Sequence, residues 1–261
     1  SRLSWNPRWT RFQPVEYGVT GVAAASTFML YFAVPDASEP RLLGGSLLDD
    51  SLRDALRLRS PRARDDARTA SDLTALSTLV WAVGVDSLVV PLSRRSADVA
   101  AQLTAMDAES FALSSLITTV IFKATARARP SYADCQRGPA FDPLCKTRTV
   151  ESFPSGHSAV SFTAAGLSCA HHLHAGLYGN PLADALACAG TITLAASTGT
   201  LRVLADRHYA SDVVVGAMIG FAVGYGVPTL FHYGKVDDAS SSAQALQPLG
   251  PSLGPTISGT F

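Results

Sequence analysis

Val213 to Gly234, VVVGAMIGFAVGYGVPTLFHYG, runs for 22 residues without Asp, Glu, Lys or Arg. An α-helix rises about 1.5 Å per residue, so a run of this length crosses the roughly 30 Å of hydrocarbon in a bilayer. Five more runs of the same kind precede it. Tyr17–Pro35 and Ala185–Leu201 carry no formal charge, Leu73–Ser93 is interrupted only by Asp86, and Ser158–Leu182 is uncharged apart from three histidines. Ser110–Phe122 reaches spanning length only if its helix continues past Lys123. The expected architecture is therefore an all-α, six-transmembrane helical bundle.

Composition agrees. The 261 residues are 47% hydrophobic and only 16% charged, against roughly 25% charged in ordinary soluble domains. Disorder is excluded by the amount of apolar surface available for burial. With 21 basic and 21 acidic side chains the net charge is zero, which removes the electrostatic case for a nucleic-acid partner. Mean hydropathy is modest at +0.19, and several runs are rich in Ala, Ser, Thr and Gly. Small residues let membrane helices approach closely. A soluble helical bundle would share that feature, and the length of the uncharged runs decides for the membrane.

Residues 1–234 read as one helical membrane domain and 235–261 as a polar, disordered tail with the serine run Ser240–Ser242. Ser1 is not a native start, so an initiator, a signal segment or a tag is expected to be missing before it. The stretch Asp36–Asp72, with seven arginines and eight acids, is expected to form a surface helix or helical hairpin. Cys135 and Cys145 share a short loop in which Gly138, Pro139 and Pro143 supply turns, so a disulfide is expected there, with two free thiols as the alternative. Cys169 and Cys188 lie inside uncharged runs and read as small packing residues.

Three segments concentrate the chemistry: Lys123 to Pro130, Phe153 to His157, and Arg202 to Asp212. Alternating spans bring all three to one membrane face, where the active site is expected. Lys123, Arg129 and Arg202 are donors suited to phosphate. Ser155 and Gly156 open a helical run, so their N–H groups, with the Ser155 hydroxyl, form an anion site at a helix N-terminus. His208 can attack phosphorus as a nucleophile if a carboxylate holds its other ring nitrogen, and Asp212 stands at i+4. His157 is then available as general acid to the departing alcohol. His171, His172 and His174 lie at the far end of their run with no carboxylate nearby in sequence, so they do not read as metal ligands.

The ordered set resembles the type 2 phosphatidic acid phosphatase superfamily, which includes class A acid phosphatases and vanadium haloperoxidases. Its signature reads Lys, six residues, Arg-Pro; then Pro-Ser-Gly-His; then Ser-Arg, five residues, His, three residues, Asp. Pro154–His157 match the second part fully, and Arg202, His208 and Asp212 match the third with both spacings. The resemblance covers about residues 105–233. Two positions depart from it. Phe122 stands at the usual Lys position, with Lys123 one residue later, and Leu201 replaces the Ser before Arg202. One residue along a helix is a rotation of about 100°, which Lys123 is expected to overcome with its four-carbon stem, Arg127 being the substitute.

The resemblance implies a phosphohistidine on His208, His157 as acid, and no metal or other cofactor. It also implies a phosphorylated lipid as substrate: phosphatidic acid, phosphatidylglycerophosphate, undecaprenyl diphosphate or a phosphorylated lipid A. The alternatives are a soluble class A-type acid phosphatase, a binding or scaffold protein with a weakened site, and a vanadate-dependent haloperoxidase. A bridged Cys135–Cys145 loop belongs in an oxidising compartment, which places the protein in a bacterial cell membrane with the site facing the periplasm or exterior.

Overall fold

The computed structural model describes residues 2–138, 141, 145 and 150–234. Among them are eight helices: α1 Pro14–Phe32, α2 Asp49–Leu56, α3 Pro61–Ser93, α4 Ala97–Thr125, α5 Tyr132–Arg137, α6 Gly156–Ala175, α7 Pro181–Leu204 and α8 Ala210–Tyr233. Local signals set several boundaries. The Ser60 side chain accepts from the Ala63 N–H and Pro61 follows at the first helical position, so α3 begins in the polar stretch, well before Leu73. Asn180 caps α7 in the same way. Gly176, at φ 56°, ends α6 in the left-handed conformation that only glycine adopts without strain.

Four helices, α3, α4, α7 and α8, are long and apolar enough to cross a membrane. Of the six expected spans, these four meet that criterion. α1 and α6 have 19 and 20 residues, but Glu16 in one and four histidines in the other keep their hydropathy down. The reason lies in packing. α6 is the central helix, surrounded by α3, α4, α7 and α8, and needs no lipid-compatible exterior. α1 packs chiefly on α4 and turns Val22, Phe28, Met29 and Phe32 outward. Leu73, Val80 and Val89 of α3 and Met218, Leu230 and Phe231 of α8 are likewise exposed. An exterior of this kind is matched to lipid, as in an integral membrane protein.

The tightest packing lies between α6 and α8. Gly216, Gly220 and Gly224 form a stripe on α8, where an added Cβ would come within 2.5 Å of the Ser155 oxygen, 2.1 Å of the Ala159 oxygen and 2.2 Å of the Thr163 oxygen. The two backbones touch, so the first turns of α6 and α8 are fixed side by side.

Further differences from the sequence reading follow from tertiary contacts. The third span is gained upstream: α4 runs from Ala97 through Asp107 and Glu109 for 29 residues. Cys169 and Cys188 are not simple packing residues, because α6 and α7 bring their Cα atoms to 4.4 Å and they are bridged. Cys135 and Cys145 are bridged as expected. Asp36–Asp72 holds α2 and the start of α3. The expected tail from Lys235 lies outside the described residues.

Candidate active site

A cavity of about 480 Å³ opens between α1, α3, α4 and the start of α6. Arg129, Glu151, His157, His208 and Asp72 supply its charged and titratable lining, and Tyr31, Leu76, Leu79, Phe122 and Val160 its apolar wall. The three chemistry-bearing segments do converge here, because α4 ends, α6 begins, α7 ends and α8 begins on the same face of the bundle.

His208 sits in the loop between α7 and α8, only 5% exposed. Its Nδ1 lies 2.7 Å from the Ser152 carbonyl oxygen, whereas Asp212 Oδ2 is 3.9 Å away. A carbonyl only accepts, so Nδ1 carries the proton and Nε2 the lone pair. The expected direct His208–Asp212 pair is thus replaced by a backbone contact. Asp212 is held elsewhere: its Oδ2 accepts from the Ser152 hydroxyl at 2.5 Å and the Tyr209 N–H at 2.8 Å, and its Oδ1 from Arg127 at 2.6 Å. Ser152 joins the two, since its N–H also donates to the Arg127 carbonyl at 3.0 Å. Burial, reinforced by the positive charges of Arg129 and Arg202, pushes the His208 imidazole well below its usual 6.5. The ring is neutral at neutral pH, the form a nucleophile requires.

His157, in the first turn of α6, is more open, with its side chain 45% exposed. Its Nε2 lies 3.1 Å from Asp72 Oδ1, the same oxygen that accepts from Arg202 Nη2 at 2.6 Å. Asp72 therefore connects the candidate acid to a candidate phosphate ligand. Arg202 is buried, and its Nε has no hydrogen-bond partner. Arg129 lines the cavity and donates to the Arg207 carbonyl at 3.0 Å, with Glu151 3.8 Å away. Gly156 lines the cavity at the N-terminus of α6. Ser155 does not: its hydroxyl is buried and accepts from the Ser158 N–H as the helix cap, so it is not the anion donor that was expected.

Lys123 is not brought to the cavity. Its Nζ donates to the Val34 carbonyl at 2.7 Å and to Asp36 at 2.5 Å, beside a separate small cleft, while Phe122 lines the main cavity. The 100° step along α4 is therefore not undone by the flexible stem. Nor does Arg127 substitute. It is 4% exposed, stacks over Tyr209 and donates to Asp49, Asp212, Ser211 and the Gly44 carbonyl, as a structural hub under the site.

Asp72, Glu151 and Ser152 are the site residues that the sequence reading missed. Glu151 and Ser152 carry a weak signal, standing just before Phe153–His157; Asp72 carries none, since it meets His157 only through the packing of α3 on α6. The distal histidines also find carboxylates from other helices. His171 Nε2 is 2.9 Å from Asp107, and His172 lies 2.6 Å from Asp184 and 3.2 Å from Asp86.

Comparison with known proteins bears on the same region. Residues 108–235 match the family model described as the PAP2 superfamily. A stretch of 75 residues is 42% identical to the lipid A 1-phosphatase of Porphyromonas gingivalis. That stretch is 29% of this chain and 15% of the relative, so the chain matches only a small part of that protein's length. The fold is similar to the crystal structure of the first transmembrane PAP2 type phosphatidylglycerolphosphate phosphatase from Bacillus subtilis. That similarity has a TM-score of 0.52 at 16% identity and covers 90% of this chain and 98% of the other.

Proposed function

Because the chain belongs to the PAP2 superfamily, we propose that it is a membrane phosphatase acting on a phosphorylated lipid, either a phosphomonoester or a diphosphate. The observation that carries this reading is the mixed lining of one cavity. Both histidines and Arg129 share it with apolar side chains of α1, α3 and α4, so a phosphate and the start of an acyl chain fit together. The names of the two relatives, a lipid A phosphatase and a phosphatidylglycerolphosphate phosphatase, support the same substrate class.

In this reading Arg129, Arg202 and the N–H groups of the first turn of α6 hold the phosphate. His208 Nε2 attacks phosphorus, the ester P–O bond breaks, and His157 gives its proton to the leaving oxygen. Water, deprotonated by His157, then cleaves the phosphohistidine and releases inorganic phosphate. Asp72 orients His157, and Asp212 acts through Ser152 and Arg127 to fix the loop that carries His208. The six long helices all cross the bilayer, and the site faces the oxidising side, where the Cys135–Cys145 bridge lies next to it in sequence.

The test is phosphate release from a panel of phosphorylated lipids by purified protein in detergent, with alkaline-quenched phosphoenzyme measured alongside. Turnover with labelled phosphate on His208 is expected. Turnover of water-soluble esters alone, or none at all with bound lipid, would replace this reading by a general acid phosphatase or a lipid-binding protein.

A further inference from the structure

We propose that Glu16, Glu109 and His232 form a site for a zinc-class divalent cation at the end of the bundle away from the cavity. The three residues come from the first turn of α1, the middle of α4 and the last turn of α8, and one ligand atom from each lies within 4.8 Å of the others. His232 Nε2 is 3.5 Å from Glu16 Oε1 and 3.7 Å from Glu109 Oε2. These separations are long for hydrogen bonds. They are close to the spacing of two ligands across a tetrahedral ion with bonds of about 2.0 to 2.1 Å, which is about 3.4 Å.

The imidazole is aimed for ligation. His232 is fully buried, and its Nδ1 faces the Thr10 carbonyl at 3.3 Å, which can only accept. Nδ1 therefore carries the hydrogen and the Nε2 lone pair points at two carboxylates. The backbone contact of a ligand's far nitrogen is the usual way in which a metal-bound histidine is oriented. Phe12 stacks on the ring at 5.6 Å and 13°, which holds that orientation.

Satisfaction and charge point the same way. Both His232 Nε2 and Glu109 Oε2 are buried without a hydrogen-bond partner. Glu16 uses its Oε2 to accept from the Gln13 N–H, leaving Oε1 for the cluster. Among the described residues no arginine or lysine pairs with either glutamate. A divalent cation would neutralise both carboxylates and give the orphaned nitrogen and oxygen a partner. One imidazole and two carboxylates form a borderline-to-hard donor set suited to zinc, with water as fourth ligand.

Glu109 lies five residues before Ser114, the first α4 residue to line the phosphate cavity, about 7.5 Å of helical rise, and none of the three residues lines that cavity. The role of the site is structural. It ties α1, otherwise packed chiefly on α4, to the end of α8.

Untagged full-length protein, incubated with zinc and dialysed in detergent without chelator, should hold about one zinc per chain by mass spectrometry. Cobalt in its place should give the intense visible absorption of a tetrahedral site. Glu16→Gln, Glu109→Gln and His232→Gln should each lower zinc retention by about tenfold or more. EDTA should lower the melting temperature of the wild type and leave that of Glu109→Gln unchanged. The wild-type measurements need no variant to fold. A wild type that retains no zinc and melts identically with zinc or EDTA would overturn the proposal. Equal zinc retention in the wild type and all three variants would overturn it as well.

Discussion

His208 Nδ1 is bonded to the carbonyl oxygen of Ser152 at 2.7 Å, and not to a carboxylate. A backbone acceptor fixes the tautomer as firmly as an aspartate would, but it brings no negative charge to the ring. Arg129 and Arg202 add positive charge nearby, while the Asp212 carboxylate stays 3.9 Å from Nδ1. This combination favours a neutral, attacking imidazole.

The first prediction is a pH profile. Burial, then Arg129 and Arg202, lower the His208 value, and the attacking form exists above that value. The acid limb of kcat/KM that reports His208 should therefore fall below the ordinary imidazole value of 6.5. Arg129→Met removes one of the charges and should move that limb to higher pH with the same substrate. A limb that stays in place or moves to lower pH would show that Arg129 does not act on His208.

Lys123 and Arg129 are separated by a second experiment. Lys123→Met should leave kcat/KM nearly unchanged, because its ammonium is occupied by Asp36 and Val34 outside the cavity. Arg129→Met should lower it by about 10 to 1000-fold, the loss of a charge-assisted contact to the phosphate. A large loss in Lys123→Met would mean that the side chain swings into the cavity when substrate binds.

Helix packing gives a third. Gly220→Ala places a methyl group 2.1 Å from the Ala159 oxygen, so α6 and α8 must separate. A stability loss of about 1 to 3 kcal/mol and a fall in activity are expected, since His157 and His208 are carried on either side of that contact. Gly226→Ala meets nothing within 4 Å and should be neutral or slightly stabilising. Equal melting temperatures for the two variants would contradict the backbone contact.

Peptide mapping without reductant is the fourth. It should recover two linked pairs, Cys135 with Cys145 and Cys169 with Cys188, whose Cα atoms are 5.2 and 4.4 Å apart. Free alkylation of Cys169 and Cys188 would return them to the role of packing residues.

By itself the sequence determined the helical class, the approximate position of the long helices and the segments that meet at the site. Those features are local: uncharged runs, and Ser155, Gly156 and His157 at the head of α6. Chain topology then brings the segments to one face. Only the tertiary structure decided which side chains face one another. A single residue step turns a helix by about 100°, so whether Phe122 or Lys123 enters the cavity depends on how α4 is rotated against its neighbours. Asp72 meets His157, Ser152 meets His208, Cys169 meets Cys188 and Glu109 meets His232 across helices distant in sequence. Such pairs leave no periodic trace, because their energy comes from contacts that exist only once α3, α4, α7 and α8 have closed around α6.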